Sequence, residues 1–422
     1  MRYYFTLFIL LFFINFCISQ NISIGSCSEY DSAKVILMHQ PSDELFYGVI
    51  HPDAALFEDY FSSYLAKEEH KAYQELLKSK NIKVLTVREI LLDKTIDVNG
   101  KIIEGEELEK LQTFAKKYIK LNTDNINSYE KNEQIKYLNN ILNKMHPYDL
   151  VNIILLQPII TLKKTDINTF YTADYNVNPV MNLYFLRDQL ITTKKGNIIG
   201  KLNSNQRAVE ADIIEFCLNK IGAKPLYRIN GEKAFLEGGD FLTFGDYAFI
   251  GCGLRTTQEA INQLLSLDLF GAKKLIVVKD TWHNQAQMHL DTYFNIIDKN
   301  LVALSQKRFN ANENDSLYLK ADIYEKVGDS YVKTDNDLNF VKYLTKTLNV
   351  EIISISDEDQ LNYGVNFLTI APREIIAVKG LSDLFKLSMS KHNVKVNWID
   401  FSNLKLGYGA AHCTTQVLQR KH

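Results

Sequence analysis

Short apolar runs alternate with helical repeats along most of the chain. The β-branched run Lys34–Met38, followed by the turn-like Gln40–Asp43, predicts a buried strand. Leu56–Leu77 has apolar residues at helical spacing and predicts a helix. Lys83–Val87 then predicts a second strand. The first part of the fold is therefore expected to run strand, helix, strand.

The pattern changes in residues 104–150 and then returns. This segment is charged and rich in Asn, has apolar residues at helical spacing and no strand-like run, and so predicts an inserted helical segment. Alternating strands and helices after it indicate the α/β class. The predicted strands are Asn152–Leu156, Leu183–Leu186, Ala234–Leu236, Ala248–Gly251, Lys274–Val278, Gly364–Ile370, Glu374–Val378 and Lys395–Ile399, and the predicted helices are Arg207–Ile221, Gln258–Leu265 and Leu381–Lys391.

The N-terminus has a pattern of its own. A positive start at Met1-Arg2 precedes the apolar run Phe5–Phe16, and small residues lead to a cleavage point after Ser19. The apolar run is short for a membrane span, although an uncleaved anchor is the alternative. We expect residues 1–19 to be a signal peptide and residues 20–422 to be a secreted mature protein.

Composition is that of an ordinary soluble globular protein and excludes several classes of function. Of 422 residues, 46% are hydrophobic and 23% are charged, and the net charge is −2. We therefore expect no nucleic-acid partner, and no later segment resembles a membrane helix. The cysteines beyond the signal peptide form no CxxC pair and no zinc-type Cys/His cluster, so no metal site is predicted; they are Cys27, Cys217, Cys252 and Cys413. Disulfide pairing among the first three, glycosylation of the sequons at Asn21 and Asn314, and the oligomeric state, a homo-oligomer included, all stay open.

Three segments combine ionisable side chains with chain turns. Asp188 follows a predicted strand and could bind a cation, or form a surface salt bridge. Glu237 precedes two glycines, so it lies either in a poorly solvated site that raises its pKa for proton transfer or in a tight hairpin turn. His289 and Asp291 stand two apart, and in a strand they would face one site; a solvated pair is the alternative.

A fourth segment, GYGAAHCTT, brings small residues up to Cys413. Such a loop gives a ligand access to the sulfur, and a neighbouring cation would favour the nucleophilic thiolate; the alternative is a buried structural cysteine. A Cys, a His and several carboxylates would also suit a cysteine protease. The number of carboxylates favours a guanidinium substrate, because its planar set of N–H donors needs carboxylate partners.

Taken in order, these motifs resemble the arginine deiminase family. VILMHQPSDEL, NLYFLRD, FLEGGD, HLDTYFNIID and the terminal GxGxxxC follow one another at intervals similar to those of the family. The resemblance implies a pentein catalytic domain over residues 20–422, which is a five-bladed α/β-propeller of ββαβ units with the helical insertion at about 104–150.

The resemblance also implies roles for the site residues. Cys413 would attack the guanidinium carbon and form an amidino-thioether, and His289 would protonate the leaving ammonia and then activate water. Glu237 would orient His289, and Asp188 and Asp291 would hold the guanidinium nitrogens. No metal or cofactor is needed for this chemistry.

The other end of the substrate is expected at three further positions. In the family an Asn and two Args hold the carboxylate of free L-arginine, and the matching residues are Asn182, Arg207 and Arg255. Arginine side chains suit a carboxylate because they bind it through two hydrogen bonds. The resemblance thus implies an arginine deiminase that converts free L-arginine to L-citrulline and ammonia.

The nucleophile segment departs from the family pattern. His412-Cys413-Thr414 replaces the usual Arg-Cys-Met and is similar to agmatine and peptidyl-arginine deiminases, and Gln189 replaces the proline that usually follows Asp188. A secreted peptidyl-arginine or agmatine deiminase is therefore the first alternative. An amidinotransferase and a non-catalytic ligand-binding pentein are the others.

Overall fold

The computed structural model describes residues 24–123, 126–167 and 170–421. The predicted signal peptide and the Asn21 sequon lie outside these residues. Within them, no helix has both the length and the apolar character needed to cross a membrane. The described cysteines are all unpaired, so Cys27, Cys217 and Cys252 form no disulfide.

The strands are short, as expected for small sheets. They are β1 Ser32–Met38, β2 Lys83–Thr86, β3 Lys120–Asn122, β4 Ile159–Lys164, β5 Tyr171–Asn176, β6 Leu190–Thr192, β7 Asn197–Ile199, β8 Tyr227–Arg228, β9 Phe241–Phe244, β10 Tyr247–Cys252, β11 Lys274–Lys279, β12 Phe294–Asp298, β13 Leu301–Ser305, β14 Lys320–Val327, β15 Ser330–Asn339, β16 Glu351–Ile355, β17 Leu368–Ala371, β18 Glu374–Val378, β19 Lys395–Ile399 and β20 Gln416–Lys421.

The helices alternate with these strands. They are α1 Asp43–Ile50, α2 Ser63–Ser79, α3 Val87–Leu92, α4 Glu106–Ala115, α5 Ser128–Leu142, α6 Pro147–Leu156, α7 Ala208–Lys220, α8 Gln258–Ser266, α9 Gln306–Asn310, α10 Phe340–Lys342, α11 Asp357–Leu361 and α12 Asp383–Lys391. Short 3-10 turns position several of the predicted site residues: Glu237 directly precedes Gly238–Asp240, and His289 directly precedes Leu290–Thr292.

One arrangement recurs in the sheets: an antiparallel pair, a helix, and a third strand parallel to the second. It is built from β6-β7-β8, β9-β10-β11, β12-β13-β16 and β17-β18-β19. In a fifth sheet β20 pairs antiparallel with β1, and β1 pairs parallel with β2. The hairpin β14-β15 widens the second sheet by pairing with β11.

Strand β1 separates two hydrophobic clusters. Successive side chains of a strand point to opposite faces, so Ile36 and Met38 pack with Tyr73 of α2, whereas Leu37 packs with helices α3 and α6. Complete burial of one such apolar side chain stabilises the fold by about 1.5–3 kcal/mol. The fully buried Leu37 and Ile36 therefore fix the sheet that carries β20.

Three predicted strands are wrong, and two of them lie in a helix or in turns. Asn152–Leu156 lies in helix α6, which begins with Pro147 at its first turn and has His146 as its N-cap. A short apolar run cannot distinguish a buried helix from a strand. Leu183–Leu186 is a series of turns, with hydrogen bonds from Leu183 N to Val180 O and from Phe185 N to Asn182 O. These buried apolar side chains pack without strand pairing.

Other element boundaries also differ from the sequence prediction. The predicted helix Leu56–Leu77 begins only at Ser63, because Leu56 is left-handed (φ 62°) and the Ser62 hydroxyl caps the helix by accepting from Leu65 N. Ala234–Leu236 forms no strand, and only Leu236 makes an isolated bridge, to Lys201. The predicted strand Gly364–Ile370 is shortened and becomes β17.

Residues 104–150 are helical, but not entirely. Helices α4 and α5 and the first four residues of α6 occupy this range, whereas strand β3 also lies within it and pairs with β4 outside it. The expectation of a segment without a strand is therefore wrong in this detail. The sheet β3-β4-β5 connects this segment to residues as far as Asn176.

Candidate active site

The loop before β20 wraps closely around the Cys413 side chain. The Asn366 side-chain oxygen accepts from the backbone N–H of Ala410 (2.9 Å) and of Cys413 (3.2 Å). The Asn366 amide nitrogen lies 3.1 Å from Cys413 Sγ. A Cβ on Gly409 would lie only 2.8 Å from Cys413 Cβ, so this glycine is needed for the close approach of the loop.

Glu237 and His289 form a buried ion pair. His289 Nε2 and Glu237 Oε2 are 2.8 Å apart, and the other Glu237 oxygen accepts from Asn203 N at 2.9 Å. Burial disfavours the charged ring, but Asp188 and Glu237 outweigh it and raise the pKa of His289 to about 9. His289 thus carries a proton at neutral pH.

The expected direction for Glu237 is wrong. Burial alone would raise its pKa, but the hydrogen bond and the charge of His289 lower it to about 2. Glu237 is therefore an ionised partner of His289 rather than a neutral acid.

The two glycines after Glu237 are required by steric contacts rather than by a positive φ. A Cβ on Gly238 would lie 2.0 Å from the Arg187 carbonyl oxygen, and one on Gly239 would lie 2.7 Å from His289 Nδ1. The segment Gly238–Asp240 is a 3-10 turn and not a hairpin turn. The motif thus allows the backbone to pass directly beneath the His289 ring.

Asp188 is buried and paired on one side only. Its Oδ2 accepts from Arg207 Nη1 at 2.7 Å, whereas Oδ1 has no hydrogen bond and lies 3.7 Å from His289 Nδ1. Arg207 also donates to Glu210 through Nε and Nη2, at 3.0 and 2.9 Å. Because Nη1 carries two hydrogens and donates one of them to Asp188, its second N–H is left for a substrate carboxylate.

His289 and Asp291 do not share a strand. Leu290–Thr292 is a 3-10 turn, which directs His289 to Glu237 and Asp291 to the nucleophile loop. Asp291 Oδ2 accepts from His412 Nδ1 at 2.6 Å and lies 3.6 Å from Cys413 Sγ. Burial would raise the pKa of Asp291, but His412 lowers it on balance.

The environment of Cys413 favours the thiol while no cation is bound. Burial and the charges of Asp291 and Asp188 raise the pKa of Cys413 above its usual range. The sequence predicts that a neighbouring cation favours the thiolate, and these carboxylates are the groups that such a cation would have to offset at the sulfur. A bound cation would reverse this effect by neutralising them.

Asp188, Arg207, His289 and Cys413 line one narrow cavity with about 20 Å³ of free space. Its walls are Leu56, Asn182, Phe185, Asp188, Arg207, Arg255, Gln285, Met288, His289, Gly407, Tyr408 and Cys413. Asn182 faces it while donating to Ala55 O at 2.8 Å. Arg255 donates to Gln285 at 2.8 Å, and its Nε has no partner.

Comparison with known proteins identifies the family of this site. A sequence profile of arginine deiminase matches residues 53–420. The chain belongs to the arginine deiminase family. It is 26% identical to the arginine deiminase of Limosilactobacillus reuteri, over 93% of this chain and 97% of that protein. It is 22% identical to the arginine deiminase of Halobacterium salinarum, over 96% of this chain and 98% of that protein.

Solved structures place the family member among the α/β pentein folds. Dimethylarginine dimethylaminohydrolase from Pseudomonas aeruginosa, complexed with citrulline, superposes with a TM-score of 0.52 at 15% identity, covering 91% of this chain and 98% of that one. The N-terminal domain of a cyanobacterial arginine dihydrolase gives 0.54 at 12% identity, covering 92% and 97%. An amidinotransferase from Microseira wollei superposes with a TM-score of 0.52 at 11% identity, covering 94% of this chain and 98% of that one.

Three of the site residues also form a cluster able to hold a cation. Ligand atoms of Asp188, Glu237 and His289 all lie within 4.8 Å of one another. A divalent metal would require neutral His289, because a protonated ring has no lone pair for it. The raised pKa of His289 and its bond to Glu237 fit an organic cation at this position better.

The structure brings all eight predicted site residues to this region. Asp291 lies behind Cys413 and is not part of the cavity wall. Sequence reasoning missed Asn366, Glu210 and the contact of His412 with Asp291. Asn366 lies in a turn before β17 with no distinguishing motif, but the Arg207-x-x-Glu210 spacing, typical of a helical ion pair, could have indicated Glu210.

Proposed function

We propose that this family member hydrolyses the guanidinium group of free L-arginine to L-citrulline and ammonia. The observation that carries the proposal is the arrangement of three groups: Cys413 Sγ, the protonated His289 ring, and unpaired carboxylate oxygens on Asp188 and Asp291. A guanidinium in the cavity would donate to the free oxygen of Asp188, and a shift of the loop around Cys413 would bring the buried free oxygen of Asp291 to its other nitrogens. Its central carbon would then lie against the sulfur.

The substrate itself would activate the nucleophile. Because Asp188 and Asp291 raise the pKa of Cys413 in the empty site, a cation between them removes the main electrostatic barrier to the thiolate. The thiol proton leaves to solvent as the cation binds. A neutral ligand of the same shape would leave the thiol protonated.

In the first half-reaction, the thiolate forms a C–S bond with the guanidinium carbon. The tetrahedral adduct breaks its bond to one terminal nitrogen, which takes the proton of His289 and leaves as ammonia. Cys413 then carries an amidino-thioether, and His289 is neutral. Glu237 holds the ring throughout, because its carboxylate accepts from Nε2 and leaves Nδ1 facing Asp188 and the cavity.

In the second half-reaction, neutral His289 takes a proton from a water molecule. The resulting hydroxide bonds to the same carbon, the C–S bond breaks to return the thiolate, and the hydroxyl proton passes to solvent to leave the ureido carbonyl of citrulline. The net reaction consumes one water and one arginine. No step requires a metal or another cofactor, so chelators are expected to leave the activity unchanged.

The carboxylate of free arginine would bind at the opposite end of the cavity. Arg255 is the best candidate for this contact, because it lines the cavity, has no carboxylate partner among the described residues, and has a free Nε. Asn182 and Arg207 lie on the same wall. We propose them as secondary contacts, with Arg207 also fixing Asp188.

We further propose that the five recurring units form a five-bladed propeller around the cavity. The repeated strand order and the contributions of separate units to one site support this arrangement. An experimental structure tests it. For residues 1–19 we propose a signal peptide that directs secretion; N-terminal sequencing of the mature protein tests this, and retention of Met1 would contradict it.

The substrate assignment is tested with free arginine, agmatine and a blocked arginyl peptide. Citrulline from arginine, with little product from the other two, supports the proposal, and product from the peptide alone overturns it in favour of a peptidyl-arginine deiminase. Turnover that requires an amine acceptor would indicate an amidinotransferase. Binding of arginine without any product would indicate a ligand-binding pentein.

The nucleophile is tested with Cys413→Ala. This variant is expected to stay folded and to lose turnover. Cys27→Ser is the matched control, because Cys27 is partly exposed and lies outside the cavity wall. Turnover that survives in Cys413→Ala would overturn the mechanism.

A further inference from the structure

His412 is a buried histidine that the proposed reaction does not use. It is 1% exposed, and its two ring nitrogens face two different carboxylates. Nδ1 lies 2.6 Å from Asp291 Oδ2, and Nε2 lies 3.8 Å from Glu29 Oε2. The ring thus connects the carboxylate beside the nucleophile to a second, deeper acidic side chain.

The bond from Nδ1 determines what Asp291 offers to its neighbours. Asp291 Oδ2 accepts from His412 Nδ1, and the same oxygen lies 3.6 Å from Cys413 Sγ. Oδ1 has no partner and is free for a ligand. Without this donor, Oδ2 would have only the Cys413 thiol to bind, and the carboxylate could turn away from the cavity.

The ring is held from behind as well. Glu29 accepts from Arg420 Nη2 at 2.6 Å, and the His412 carbonyl accepts from Arg187 Nε at 3.3 Å. Glu29 precedes β1 and is fixed there by its backbone N–H, which donates to Thr243 O at 2.9 Å. Asp291 and Glu29 therefore face the imidazole from two sides, while Arg420 holds Glu29 and Arg187 holds the His412 backbone.

We propose that His412 is a positioning residue for the reaction: its Nδ1–H holds Asp291 in the orientation that grips the guanidinium, so that the shared contact of Oδ2 with the Cys413 thiol does not alone determine how the carboxylate lies. The proposal rests on the proposed function, since it assigns a role within that reaction. Glu29 stabilises the ring in this orientation from the other side. His412 itself touches neither substrate nor the reacting atoms.

Two substitutions of similar size separate this role from simple space filling. The amide nitrogen of Asn lies one bond beyond Cγ, where Nδ1 lies, so His412→Asn can keep the donor to Asp291. The amide nitrogen of Gln lies two bonds beyond Cγ, closer to the position of Nε2. In His412→Gln the side-chain amide therefore faces Glu29, and Asp291 has no donor. His412→Ala makes the same comparison if the Gln variant does not fold.

The first readout is steady-state kinetics with arginine, with thermal unfolding as the check on the fold. We expect His412→Gln to lower kcat/KM by about 10- to 100-fold, because that is the effect of losing one hydrogen bond to a charged group. The expected effect includes a higher KM, since Asp291 grips the substrate. His412→Asn is expected to restore most of the activity. Equal losses in the Asn and Gln variants would overturn the proposal.

The second readout does not need turnover. The rate of Cys413 alkylation by iodoacetamide is measured as a function of pH. We expect the midpoint of this profile to lie about one pH unit higher in His412→Gln than in the wild type, and to be unchanged in His412→Asn. If the wild type releases no citrulline, the proposed function fails, while the alkylation profiles still test the positioning of Asp291. Identical profiles in the wild type and both variants would overturn the role of His412.

Discussion

Gly239 is the position where one added methyl group should act directly on the catalytic histidine. A Cβ there would lie 2.7 Å from His289 Nδ1 and 2.8 Å from Cγ, whereas ordinary contacts begin at 3.4 Å. Gly239 does not have a positive φ, so alanine introduces no backbone strain. In Gly239→Ala the ring must therefore move by about 0.7 Å.

This displacement is expected to reduce catalysis far more than stability. The 2.8 Å bond between His289 and Glu237 would be stretched beyond hydrogen-bonding length. A misplacement of about 1 Å can lower the rate by about 100-fold, and overpacking typically destabilises a core by about 1–3 kcal/mol. We expect kcat to fall by roughly one to two orders of magnitude.

The assay is citrulline release under saturating arginine, combined with thermal unfolding. Gly328→Ala is the control, because Gly328 lies in the exposed β14-β15 turn with φ +60° and has nothing within 4 Å of an added Cβ. It should lose about 1 kcal/mol of stability and no activity. A folded Gly239→Ala enzyme with wild-type kcat would refute the proposed role and geometry of His289.

Three further predictions concern charge. Because His289 must be protonated to release ammonia and has a pKa of about 9, kcat/KM should fall above about pH 9; a fall centred near pH 7 would contradict this. Arg255→Gln should raise the KM for arginine by about 10- to 100-fold and leave agmatine turnover unchanged; an equal effect on both substrates would exclude a carboxylate contact. Burial lowers the pKa of His70 to about 3, below its unfolded value, so stability should fall by about 1.4 kcal/mol per unit as the pH drops below about 6.5. Urea unfolding of the wild type and of His70→Gln between pH 4 and 7 measures this, and equal slopes would contradict it.

The sequence predicted those parts of the fold in which local pattern and burial agree. Lys274–Val278 and Glu374–Val378 became strands because β-branched residues were bounded by turns and buried in small sheets. Leu183–Leu186 is also apolar but has no β-branched residue, and it lies buried in turns. A short apolar run of this kind does not by itself indicate a strand, and periodicity cannot detect the difference.

The candidate site was predicted where chemistry is concentrated in a short motif. Cys413, Glu237 and His289 each stand in a motif with glycine or a second ionisable residue nearby. Asn366 and Glu29 were missed because each acts across more than 40 residues of sequence, Asn366 on Cys413 and Glu29 on Arg420. The direction of the pKa shift of Glu237 was also predicted wrongly from the sequence, because it depends on which opposite charge lies within a few ångströms.

The pairing of β1 with β20 has a consequence for the timing of activity. Asp31 and Arg420, which hydrogen-bond beside this pair, are 389 residues apart in sequence, so the sheet closes at a large cost in chain entropy and among the last steps of folding. The nucleophile loop ends directly at β20. A nascent chain that ends before this strand would carry Cys413 on a loop that is not yet anchored beside β1, and would remain inactive until synthesis reaches the closing strand.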